Sequence, residues 1–124
     1  MSEFVEITTA DLTGAALNWA VAKATGAGEL KVTDSGSVCC IYEMPCGSGC
    51  WTADYEPSTD WAQGGLLIDE CDVSTANRIP TGYWASARIG FRQAGPTRLI
   101  AACRAIVASV LGETVSVPKE LCHE

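Results

Sequence analysis

Apolar and polar residues alternate from Ser2 to Thr8, with Val5 and Ile7 set against Phe4 and Glu6, so the chain opens on a predicted strand. The spacing then lengthens to three and four. Leu12, Ala16, Trp19, Ala20 and Lys23 predict a helix from about Ala10 to Thr25, capped by Thr8 or Thr9, with Asp11 in its first turn and Gly26 as its stop. Gly14 weakens such a helix by about 1 kcal/mol relative to alanine, a cost that often signals close packing. Glu29 to Val32 and Val38 to Glu43 predict short strands around the turn Asp34-Ser35-Gly36-Ser37, and Pro45 to Thr52 reads as a loop. Ser58 can cap one helical turn over Thr59 to Gln63, which Gly64-Gly65 ends before a buried strand, Leu66-Leu67-Ile68. Asp72 to Gly82 is polar and reads as a loop. Tyr83 to Arg92 gives the longest alternation, with Tyr83, Ala85, Ala87, Ile89 and Phe91 on one face and Trp84, Ser86, Arg88, Gly90 and Arg92 on the other.

The last helix has the clearest stripe: Leu99, Cys103, Ile106 and Val110, widened by Ile100, Val107 and Leu111. Thr97 is its N-cap, with Pro96 at the first helical position as the alternative, and Gly112 ends it. Val115 to Val117 closes the chain as a strand before Pro118. Strands outnumber helices without strict alternation. This predicts an α+β fold, a mainly antiparallel sheet with two helices packed on one face.

The 124 residues allow one domain over 1–124. Fifteen acids against eight bases give −7, and no basic stripe is present to displace counterions from nucleic acid or to hold a membrane surface. No apolar run approaches the roughly 20 residues that span a bilayer, and the acidic start lacks a secretory apolar core. The expected location is the cytosol. Seven cysteines are an odd count, which reads as reduced thiols there. Cys46 and Cys50 form one acceptable zinc arm, but Cys39-Cys40 is a poor second, because neighbours on a strand point to opposite faces. No metal or cofactor is expected.

Catalytic constellations are thin. The single histidine, His123, is next to the C-terminal residue, and no phosphate loop, His-Glu-x-x-His or Gly-x-Ser-x-Gly occurs. Asp69, Glu70 and Asp72 crowd together, as a solvated strand end or as a cation site. The aromatic residues say more. Trp51, Tyr55 and Trp61 bracket Ser58-Thr59-Asp60, with Gln63, Gly64 and Gly65 adding polar groups and close main-chain approach. Trp84 shares its face with Arg88 and Arg92, which can pair with phosphate while a base stacks on the ring. Arg98 in the first turn of a helix opposes the dipole, so Thr97 and Arg98 after Gly95-Pro96 form a second anion candidate. The plainer use of these residues is packing, with tryptophans against helices and arginines in solvent. The ligand-binding reading takes Tyr55, Ser58, Thr59, Asp60, Trp61, Gln63, Gly64, Gly65, Trp84, Arg88, Thr97 and Arg98 as a pocket that holds a nucleotide-like small molecule without transforming it.

Three stretches carry a resemblance: Leu17-Asn18-Trp19-Ala20-Val21-Ala22-Lys23, Tyr55-Glu56-Pro57-Ser58-Thr59-Asp60-Trp61-Ala62-Gln63-Gly64-Gly65, and Gly95-Pro96-Thr97-Arg98 running on to Val107. In that order the chain resembles the small NinX-like proteins of lambdoid phages and prophages. Leu66 stands where that family's pattern often has proline. The resemblance implies a phage or prophage accessory protein in the bacterial host cytoplasm, and it carries no activity. In that setting a binding protein can sequester a nucleotide signal of host defence. The alternative is an acidic interaction module that docks on and inhibits a basic host protein through exposed Trp51 and Trp84. A hydrolase using Asp60, Asp69 or Glu70 with a divalent ion is a third reading. An open sheet edge and an apolar helix favour a homo-dimer or higher oligomer.

Overall fold

The computed structural model describes residues 3–43, 49–71, 73–77, 82–87 and 91–122. The fold is α+β, but one sheet with two helices on one face does not form. Among the described residues, strands fall into three separate antiparallel sheets around three α-helices. Strand β1 (Phe4–Thr8) pairs with β8 (Thr114–Pro118), joining the two ends of the chain. A meander follows of β2 (Gly28–Val32), β3 (Val38–Glu43) and β4 (Gly49–Thr52). A second meander holds β5 (Val73–Asn77), β6 (Tyr83–Ala87) and β7 (Phe91–Gly95).

Helix α1 (Gly14–Thr25) buries seven successive residues, Ala16 to Ala22, and is therefore buried on all sides. It starts later than the expected Ala10. Thr9 does not cap it: its amide donates to Glu113 O at 2.8 Å and its hydroxyl to Gly112 O at 2.7 Å, so Thr9 holds the loop before β8. Gly14 is at φ 58, a conformation that excludes most other residues, so it opens the helix rather than weakening its middle.

Helix α2 (Trp61–Glu70) replaces both the expected single turn and the expected strand at Leu66 to Ile68. Asp60 is its N-cap, accepting from Ala62 N at 2.9 Å. The Gly64-Gly65 pair lies inside the helix. Residues 73–77 form a strand where a loop was expected, and so do residues 49–52.

The alternation from Tyr83 to Arg92 is a hairpin, not one strand. Ala87 stands opposite Phe91, Ala85 opposite Gln93 and Tyr83 opposite Gly95. Partners four, eight and twelve apart keep the odd positions of both strands on one face, so the period of two carries over from β6 to β7.

Helix α3 (Arg98–Leu111) packs on β5, β6 and β7 and also touches α1 and α2. Ala85 and Ala87 face it from the sheet, while Ala101, Ala102, Ala105 and Ala108 are buried on the helix. The approach is close enough that a Cβ at Gly95 would stand 2.7 Å from Ala101 N.

Cys103, also on α3, is buried, and that burial, with the Cys71 thiol nearby, pushes its pKa from 9.0 to about 12. The folded chain then holds this proton where the unfolded chain releases it, so stability is whole below pH 9 and falls between 9 and 12 at up to about 1.4 kcal/mol per pH unit. We expect a Cys103→Ala variant to lose less melting temperature than the parent from pH 9 to 11, as read by circular dichroism.

Candidate functional site

Of the twelve residues singled out from the sequence, the eleven that are described fall into three places. The Tyr55–Gly65 strap is tied to α1. Ser58 is fully buried, and both its amide, at 3.1 Å, and its hydroxyl, at 2.7 Å, donate to Oδ1 of Asn18. Gln63 accepts from Glu56 N at 2.6 Å and donates to Asp54 O at 3.4 Å, which folds the strap back on α2. A Cβ at Gly64 would stand 2.6 Å from Leu99 Cδ2 and press on the Pro57 carbonyl oxygen, so α2 crosses α3 at this point. Gly65 has ordinary room, 3.7 Å from the Trp61 ring. Thr59 and Trp61 are exposed, Trp61 by 58%. Tyr55 is buried, its ring 5.3 Å from that of Tyr42, and burial raises its phenol pKa.

These contacts bring the three stretches that carry the resemblance together. Asn18 holds Ser58, and Gly64 meets Leu99.

Trp84 belongs to a different surface. Antiparallel partners share a face. Ser74, Ser86 and Arg92 make one row across the sheet and Ala76, Trp84 and Ala94 the next, on the side away from α3. The small neighbours leave a hollow of about 310 Å³ beside the indole. The Arg92 guanidinium stands 5.6 Å from the Trp84 ring centroid, within cation–π range. No residue of the Tyr55–Gly65 strap lines this hollow. Arg88 lies outside the described residues, as do Cys46, Asp72 and His123.

Thr97 and Arg98 are at the third place. The Thr97 hydroxyl accepts from Ile100 N at 3.1 Å and caps α3. The Arg98 guanidinium lies 5.3 Å from the Tyr83 ring, on the α3 side of the sheet.

A charge pattern links the second and third places. Residues 73–112 contain no aspartate or glutamate and five arginines, at 78, 88, 92, 98 and 104. All fifteen acids and the three lysines lie elsewhere. Arg104 is turned inward, donating to Leu12 O at 3.0 Å and Ala94 O at 2.8 Å, and burial lowers its pKa against the opposing pull of Asp11. A local cationic field can persist on a protein of net charge −7 when its arginines are segregated in this way. Sequence reasoning passed over this run, although it was visible by counting.

Tyr42, Thr25, Leu66 and Leu67 were also passed over. With Tyr55, Gln63, Ile41, Gly49 and the main chain of 26–28, they enclose a hollow of about 380 Å³ between the end of α1, the first meander and α2. No sequence signal marks it, because it draws on separate segments.

Cys39 and Cys40 are adjacent on β3, Cys40 buried and Cys39 partly exposed. Among the described residues, no three of His, Cys, Asp and Glu converge as a metal site would require. No helix among them is long and apolar enough to cross a membrane.

The fold and the segregated charge define a small α+β protein with one acid-free, arginine-bearing sheet. Residues 8–110 match the family described as bacteriophage P22 NinX, and the chain belongs to that family. A search of curated proteins finds no match to the chain.

Proposed function

We propose that this phage-family protein is a non-enzymatic binder of a small, phosphate-bearing, nucleotide-like ligand, held on the outer face of β5-β6-β7. Such a protein would act by sequestration, for example of a nucleotide signal of host defence. The observation that supports this reading is the Trp84–Arg92 pair beside its hollow, inside a forty-residue run without a carboxylate. An indole offers a stacking face for a base, and a guanidinium offers paired donors for phosphate.

The test is calorimetry of the full chain against mononucleotides, cyclic dinucleotides and ADP-ribose. We expect at least one to bind, and saturation at 100 times its dissociation constant to stabilise the fold by about 2.7 kcal/mol. Arg92→Ala and Trp84→Ala should each weaken that ligand tenfold or more. Silence across the whole panel overturns the reading.

A second reading rests on Trp51 and Trp61, exposed by 64% and 58% in the acid-rich part of the chain. They suit an anchor on a basic partner protein. Under that reading the nucleotide panel is silent, and Trp61→Ser abolishes capture of a basic host protein.

A further inference from the structure

We propose that the hollow at the end of α1 is a separate binding site for a flat, uncharged heterocycle rich in N–H donors. It measures about 380 Å³, within the roughly 300–1,000 Å³ typical of small-molecule sites. Among the described residues its lining holds no charged side chain, although the chain is rich in carboxylates. One wall is aromatic: the rings of Tyr42 and Tyr55 lie 5.3 Å apart, tilted by 38°. Ile41, Leu66 and Leu67 add apolar surface, and Thr25 and Gln63 are the polar side chains among the lining residues. Both phenols stay neutral, since the pKa of Tyr42 is raised chiefly by its hydrogen bond with Cys50 and that of Tyr55 by burial.

The polar end is supplied by the main chain. Helix α1 finishes at Thr25, and Gly26 at φ 76 turns the backbone along the hollow through Ala27 and Gly28. The last turn of a helix leaves carbonyls without an intrahelical partner, and they carry the negative end of the dipole; here Ala22 O accepts from Ala27 N at 2.9 Å and Lys23 O from Gly26 N at 3.3 Å, which leaves the Ala24 and Thr25 carbonyls to meet a ligand. That end accepts N–H groups and repels phosphate, opposite in sign to the Arg92 surface. Glycine keeps the space open, because a Cβ at Gly49 would come within 2.9 Å of Ile41 Cγ2. Gln63 is fixed at both ends of its amide, so the wall it forms is preformed.

The site stands independently of the phosphate-binding reading. The experiment is a ¹H–¹⁵N NMR titration of the full chain with adenosine and cytidine to 5 mM, with purine riboside, which lacks the exocyclic amine, as comparison. At least one amine-bearing nucleoside should shift the amides of Ala27, Gly28, Ile41 and Gln63, and purine riboside should bind at least fivefold more weakly than adenosine if adenosine is the binder. Tyr42→Ala should weaken binding tenfold, Tyr42→Phe less than threefold, and Arg92→Ala not at all. No shift at those amides with either nucleoside overturns the proposal. So does a Tyr42→Ala variant that keeps its dispersed spectrum and binds as the parent does. Failure of the nucleotide panel leaves these outcomes unchanged.

Discussion

Alanine at position 64 is expected to lower the melting temperature by roughly 8 °C, while alanine at position 65 raises it slightly. Both glycines are inside α2, where exchange for alanine ordinarily gains about 1 kcal/mol of helix propensity. Packing reverses the sign at Gly64. The added methyl would sit 2.6 Å from Leu99 Cδ2 and closer still to the Pro57 carbonyl oxygen. The leucine end can turn aside, but the carbonyl cannot. Pro57 is fully buried, and Ser58 beside it is held by two bonds to Asn18. Relief requires lifting α2 off α3, and overpacking of this kind costs about 1–3 kcal/mol, occasionally more. With a backbone carbonyl in the way the cost falls at the upper end of that range, so the net loss after the propensity gain is about 2 kcal/mol, and a kilocalorie shifts a domain of this size by about 4 °C. At Gly65 the nearest atom is 3.7 Å away, an ordinary contact, so the propensity gain survives. Thermal melts of the two variants followed by circular dichroism check the contrast, and a Gly64→Ala protein as stable as the parent would mean that α2 does not cross Pro57 at this distance.

That pair of glycines also shows what the sequence conceals. A Gly-Gly dipeptide is locally a helix stop, and here the helix continues through it, because its closeness to Pro57 and Leu99 needs the missing side chain. The last helix was legible because every local signal agrees with burial: the Thr97 cap, the stripe from Leu99 to Val107 and Gly112 at the end. Strands β1, β3 and β8 were legible for the same reason. The hairpin of β6 and β7 was not, since its register preserves the alternation across the turn. Of the candidate site, the Trp84–Arg92 face follows from period two alone. The strap's attachment does not, because Ser58 and Asn18 are forty residues apart in the chain. Net charge misled as well: −7 averages an arginine-only run with an acid-rich remainder.

Asn18→Leu is the second substitution expected to have a large effect, a loss of about 2–5 kcal/mol. Leucine matches asparagine in shape but accepts nothing, so the Ser58 amide and hydroxyl both lose their acceptor in a buried place. An unpaired buried donor costs about 1–3 kcal/mol, more than the bond itself contributes. Asn18→Asp keeps the acceptor and should lose less than leucine, although it buries a charge. Ser58→Ala removes only the hydroxyl bond, for about 1 kcal/mol. Combined with Asn18→Leu, Ser58→Ala should cost little more, because the hydroxyl left unpaired by the first change is removed by the second. Urea denaturation of the four proteins reads this as a coupling of about 1 kcal/mol, and additivity to within about 0.3 kcal/mol would place the two side chains out of contact. The same variants separate holding the fold from holding a ligand. Asn18 and Ser58 are part of neither the Trp84–Arg92 hollow nor the Tyr42–Tyr55 hollow. Their loss should therefore lower the folded fraction while leaving the affinity of each folded molecule unchanged, whereas Arg92→Ala should do the reverse.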